Sequence, residues 1–238
     1  RQQHIYIMVQ DYNAYTATDR QVWNALYSRQ RENLSDKADP RYLARLDQLL
    51  PIMNADKIPN YDDLNAALGA ATGWSIHVVP GLIPVEEFFE LLAQRKFPAS
   101  TWLRKPEELD YLEEPDMFHD IFGHIPLLLD PQYAQFMEDF GKHGVANLKK
   151  SHVIRQLQNL YWFTIEFGVC EDPTKIYGAG IISSFGETNH IYDSKTAIYP
   201  FELNKVLDNS FINSEIQGHY YKVTDLESVY NISFENIA

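Results

Sequence analysis

The stretch EEPDMFHDIFGHIP, residues 113–126, decides how this chain is read. It sets His119 and His124 five residues apart, bracketed by acids, Gly123, Pro115 and Pro126. Each residue of an ideal α-helix advances by about 100°, so the two rings would stand roughly 140° apart. A spacing of three or four would share a face, and five does not. The rings converge on one point only if the helix winds down near Gly123, just before Pro126. That is what the spacing predicts.

A carboxylate further along belongs with this pair. In NLYWFTIEFGVC, residues 159–170, Glu166 is surrounded by Tyr161, Trp162, Phe163, Ile165, Phe167 and Val169. A carboxylate in such company is costly to bury unless it is paired or bound to a metal. Two readings stay open: a salt bridge to Arg104 or Arg155, or a metal shared with the histidines. Two imidazoles and one carboxylate match the facial triad that holds ferrous iron with three positions open. Zinc is the competing metal, but the chain has no HEXXH motif and no cysteine pair. The other six histidines lie in polar or strand-like contexts and read as surface or packing residues.

Composition sets outer bounds. The 238 residues are 45% hydrophobic, enough for one domain with a full core. No apolar run approaches the ~20 residues of a membrane span, and no secretory leader is visible. The chain opens on Arg1 rather than methionine, which leaves room for an upstream segment. Cys170 is the sole cysteine, which fits a reducing, cytoplasmic compartment. Twenty basic against 33 acidic side chains give a net charge of −13, which disfavours nucleic acid and anionic membranes as partners.

Helical signals dominate. Thr18 with Gln21 reads as a capping box before the stripe Val22, Trp23, Leu26 and Tyr27. Asp39-Pro40 and Asp130-Pro131 read as helix openings. Further helices are expected in NYDDLNAALGAATG, closing at Gly73, in VEEFFELLAQR after Pro84, and along HVIRQLQNLYWFTIEFGV. SIHVV (75–79) and HYYKV (219–223) read as strands. The expected fold class is mainly α with small β elements, residues 1–238 forming a single domain.

The chain resembles the tetrahydropterin-dependent aromatic amino acid hydroxylases, most closely their bacterial phenylalanine-hydroxylating members. The likeness rests on ATGWSIHVVPGLIPVEEFFELLAQRKFPASTWLR, EEPDMFHDIFGHIPLLLDP, YWFTIEFGV and YGAGIISSFGE, in the family's order across roughly residues 70–190. It implies a basket-like catalytic domain whose iron is held by His119, His124 and Glu166. It implies that Arg104 clamps the substrate carboxylate, that Trp162 and Pro115 wall the substrate pocket, and that Ser183 and Ser184 orient a ligand histidine and the substrate. On the cofactor side, Phe88 would stack on the pterin, the backbone of Gly81, Leu82 and Ile83 would bond its edge, and Asp120 would reach it through water as a catalytic acid. Asn213, in SFINSEIQGHYY, falls where family members that hydroxylate different rings differ. The implied reaction uses Fe(II), tetrahydrobiopterin or a related tetrahydropterin, and O2 to hydroxylate phenylalanine to tyrosine, with tyrosine or tryptophan as the runner-up substrate. No regulatory domain and no tetramerisation helix are recognisable, so a monomer or small homo-oligomer is expected. A zinc hydrolase and a noncatalytic amino-acid sensor are the readings from other classes.

Overall fold

The computed structural model describes residues 8–172, 175–193, 195–211 and 216–238. Helices α1 (Ala17–Leu34), α2 (Pro40–Gln48) and α3 (Tyr61–Ala71) lead, followed by β1 (Ser75–Val78), α4 (Val85–Ala93) and β2 (Lys96–Ala99). The middle of the chain is a π-helix (Phe118–His124) running into α5 (Ile125–Leu128), then α6 (Pro131–Ala146) and α7 (Ser151–Tyr161). A second π-helix (Trp162–Glu166) continues α7 and leads to β3 (Val169–Cys170), α8 (Ala179–Ile182) and α9 (Phe185–His190). The chain closes with β4 (Ala197–Pro200), α10 (Leu203–Leu207), β5 (His219–Val223) and α11 (Leu226–Tyr230). The fold is mainly helical with small sheets, as expected from the sequence. No helix among the described residues is long and apolar enough to cross a membrane.

The helix openings follow local chemistry. Asp39 accepts from the Arg41 amide at 2.9 Å and Asp130 from the Gln132 amide at 2.9 Å, each ahead of a first-turn proline. The start of α1 differs from the expected one. The capping box is Thr16 with Asp19, two residues earlier than Thr18 with Gln21. Asp19 is the stronger partner there because its charge also meets the helix dipole.

Both sheets are parallel, so their strands are joined by crossovers. Strand β1 pairs with β2 through the α4 crossover, Ser75 opposite Lys96. The other sheet has order β3-β5-β4, with Tyr199 opposite Tyr221. Helix α4 lies against α6, where a Cβ on Gly144 would come within 2.2 Å of the Phe89 ring. Only glycine lets the two helices come this close. An aromatic cluster backs the first π-helix: Phe118 stacks on Phe122 at 4.6 Å, Trp23 meets Phe118 edge-on, and Tyr27 meets Phe122.

Candidate active site

The site is built on the two π-helices. The expected unwinding at Gly123 does not occur; the chain stays helical through Gly123 and Pro126 into α5. It widens instead. A π-helix bonds residue i to i+5, which carries residues five apart to the same side. The same widening is explicit at the second segment, where the Phe167 amide bonds the Trp162 carbonyl at 2.8 Å. The buried hydroxyl of Tyr42 donates to the Phe122 carbonyl at 2.6 Å, supporting the first widened turn from the core side.

His119, His124 and Glu166 meet at these turns, and their donor atoms all lie within 4.8 Å of one another. Glu166 Oε1 is 2.7 Å from His124 Nε2, Glu166 Oε2 is 3.2 Å from His119 Nε2, and the two Nε2 atoms are 3.2 Å apart. Burial opposes a charge on His119, but the Glu166 carboxylate outweighs it and pushes the pKa up to about 9. Burial also works against the Glu166 carboxylate, yet the two imidazoles hold it well below the usual carboxylate range. The three groups together attract positive charge, which a divalent cation supplies better than a shared proton. Glu166 is paired with neither candidate arginine: Arg104 is engaged with Asp116 and Arg155 is exposed.

Ser183 fixes the tautomer of His119. Its hydroxyl donates to the Ala179 carbonyl at 2.8 Å, so it can only accept from His119 Nδ1, also at 2.8 Å. Nδ1 therefore carries a proton in either charge state, and Nε2 is the nitrogen a metal would take by displacing the proton there. The loop that carries Ser183 lies against the ligand segment, because a Cβ on Gly178 would sit 2.5 Å from the Glu166 carbonyl. His124 packs against Phe97, and its Nδ1 is buried with no partner among the described residues. Two imidazole nitrogens and an ionised carboxylate, converging and largely buried, fit iron as a donor set.

Asp116 is the functional residue that sequence reasoning missed. It is fully buried and accepts four hydrogen bonds: from Arg104 Nε at 2.9 Å, and from Arg104 Nη2, the Arg104 amide and the His119 amide at 3.0 Å each. Its signal was available, an acid three residues before the first histidine and followed by Met117 and Phe118. Arg104 is itself buried, and its Nη1 is not committed to any acceptor among the described residues.

Every described candidate lines one cavity of about 410 Å³: Gly81, Leu82, Ile83, Phe88, Arg104, Pro115, His119, Asp120, His124, Trp162, Glu166, Ser183 and Ser184. That volume suits a small-molecule pocket. Asn213 lies outside the described residues. Phe88 stands edge-on to Tyr161, whose phenol is held well above its ordinary pKa by burial and by the nearby Glu166 charge. Asp120 Oδ2 accepts from the Ser100 amide and hydroxyl at 2.9 and 3.0 Å, and burial pushes its pKa up. Ser184 caps α9 by accepting from the Glu187 amide at 3.2 Å. Tyr161, Glu187, Phe211 and Gln217 line the cavity as well, and the sequence reading had assigned them no role.

Comparison with known proteins agrees with this chemistry. Chromobacterium violaceum phenylalanine-4-hydroxylase is 39% identical over 236 residues, covering 98% of this chain and 78% of that protein. A crystal structure of the C. violaceum enzyme with iron(III) and oxidised 7,8-dihydrobiopterin superposes with a TM-score of 0.90 at 40% identity, covering 98% of this chain and 85% of that one. The iron- and phenylalanine-bound form gives 0.87 at 36% identity, with coverage of 98% and 85%. The family profile of the biopterin-dependent aromatic amino acid hydroxylases matches residues 9–233. With the fold, the donor cluster and the profile in agreement across nearly its whole length, the chain belongs to the biopterin-dependent aromatic amino acid hydroxylases.

Proposed function

We propose that this chain is an iron- and tetrahydropterin-dependent monooxygenase that hydroxylates L-phenylalanine to L-tyrosine with O2. One observation carries the reading: two imidazoles and a carboxylate share a cavity with a buried arginine that has an uncommitted Nη1. Iron at His119, His124 and Glu166, with a tetrahydropterin alongside, supplies the oxygen activation and the two electrons that it needs.

The side chains bind, orient and keep the site dry. Ser183 holds the proton on His119 Nδ1, leaving Nε2 to the metal. Asp116 grips two nitrogens of Arg104 and presents the Nη1 edge to the substrate carboxylate, a geometry lysine cannot copy. The phenyl ring has no polar handle, so Trp162 and Pro115 recognise it by apolar contact. Ser184 sits beside them on the substrate side. Phe88 offers its ring face to the pterin, the backbone of Gly81, Leu82 and Ile83 meets the pterin edge, and Asp120 reaches it through water while Ser100 holds its Oδ2. Asn213 is assigned to the substrate pocket on family resemblance. Aromatic walls such as Phe97 and Phe140 limit water, which strengthens every charge interaction inside.

The same reading treats residues 1–238 as one catalytic domain, acting in the cytoplasm as a monomer or small homo-oligomer without nucleic acid. The net charge of −13 and the lone Cys170 support it, and light scattering tests the assembly. The function is tested by supplying ferrous iron, a tetrahydropterin, O2 and each aromatic amino acid in turn. Tyrosine should form from phenylalanine with matching pterin oxidation. Faster conversion of tyrosine to its catechol would overturn the substrate, and no pterin-dependent oxygen uptake with any amino acid would overturn the reaction.

A further inference from the structure

Trp162 is half-buried and lines the cavity. Phe211 lies almost parallel to it, centroids 4.4 Å apart and planes 9° apart, while Phe167 packs at 4.6 Å with a 37° tilt. Stacking fixes the tilt of a ring but lets it slide and turn in its own plane. The in-plane direction is set at the indole edge, where Trp162 Nε1 donates to Gln217 Oε1 at 2.9 Å. An indole N–H can only donate, so the amide oxygen must face it.

Gln217 is held for this contact from both sides of its backbone. Its amide donates to Glu187 Oε1 at 2.9 Å, and its carbonyl accepts from His190 Nε2 at 3.1 Å. The other oxygen of Glu187 accepts from the Tyr220 hydroxyl. Glu187 and Gln217 are both about 6% exposed, so this network is sheltered from competing water. A buried carboxylate whose partners are a hydroxyl and a backbone amide is expensive. Here it ties α9, which follows Ser183 and Ser184, to the start of β5 and thence to the Trp162 ring.

We infer that Gln217 is a positioning residue that locks the plane of Trp162, and that Glu187 and Tyr220 buttress it, so that this network sets the preference for one-ring over two-ring aromatic amino acids. The inference rests on the proposed function for its substrate class. A wall free to turn widens the pocket, loosening a phenyl ring and admitting an indole. Losing one neutral hydrogen bond corresponds to roughly 2–12-fold in binding.

The test compares Gln217→Leu, which removes the acceptor, with Gln217→Glu, which keeps one. In the iron-loaded protein, ultraviolet resonance Raman reports indole N–H bonding, and the Trp162 contribution is isolated by difference from Trp162→Phe. Gln217→Leu should shift that band, raise the KM for phenylalanine by about 2–12-fold and lower the phenylalanine-to-tryptophan ratio of kcat/KM by a similar factor. Iron content and the pterin KM should not move, and Gln217→Glu should recover part of each loss. An unshifted band overturns the lock. A shifted band with an unchanged substrate ratio overturns its role in specificity, and an equal rise in the pterin KM would mark a merely structural contact. If the wild type hydroxylates no aromatic amino acid, the proposed function fails, while the Raman band and calorimetric amino-acid binding still judge the lock.

Discussion

Asp116→Asn is the substitution that most sharply tests how the site is held. The carboxylate serves four donors, two on each oxygen. An asparagine keeps one carbonyl oxygen for two of them and turns an NH2 toward the other two, donor against donor. Arg104 then sits buried and charged with half a partner. Breaking a buried ion pair from one side costs about 3–5 kcal/mol. In a chain of this size each kcal/mol moves the melting midpoint by about 2–4 °C, so a fall of roughly 6–20 °C is expected. A loosened guanidinium also forfeits a charge-assisted bond to substrate of about 1.5–3 kcal/mol, or roughly 10–150-fold in apparent affinity. Calorimetric unfolding and steady-state kinetics in both the amino acid and the pterin measure these effects separately. The pterin KM should change least. Adding Arg104→Leu to Asp116→Asn should restore part of the lost stability, since no orphan charge remains, but none of the affinity. A midpoint within about 2 °C of wild type would refute the buried anchor, since that is less than 1 kcal/mol.

Iron dependence follows from the donor cluster: chelation should abolish hydroxylation, ferrous salt should restore it, and zinc should occupy the site unproductively. His119→Ala and His124→Ala should lose iron by elemental analysis, and full turnover by an iron-free preparation would sink the assignment. Ser183→Ala frees His119 to take either tautomer, so iron affinity should drop about 10–100-fold with the fold intact; unchanged metal binding in a chelator competition would show that the hydroxyl orients nothing. Phe88→Ala should raise the pterin KM about 2–12-fold, as expected for losing one aromatic contact. Equal rises in the pterin and amino-acid requirements would make Phe88 ordinary core.

What could be read from the chain was what is local to it. The Asp-Pro openings of α2 and α6 were legible because cap, proline and first turn all lie within three residues. The donor trio was legible because His119, His124 and Glu166 are costly residues in apolar stretches. The way in which the histidines meet was not. Periodicity presumes 3.6 residues per turn, and the widened turn answers to Tyr42 and the aromatic cluster behind it, far away in sequence. Strand β2 was missed for a similar reason. KFPA is four residues with a central proline, and only pairing with β1 across the α4 crossover makes it a strand. Asp116 lay in plain view, but one acid among the six from Glu107 to Asp116 gains meaning only when Arg104 folds back onto it.

Because Asp116 Oδ1 accepts from both Arg104 Nη2 and the His119 amide, the group assigned to the substrate and one assigned to the metal are referenced to a single atom. Thermal motion of the surrounding helices then enters both positions with the same sign and cancels in their difference. Such common-mode rejection would keep the separation of a bound ring and metal steady under motion of the cavity as a whole. Reaction depends on that relative distance rather than on either absolute position, so the site gains precision without the whole basket having to be rigid.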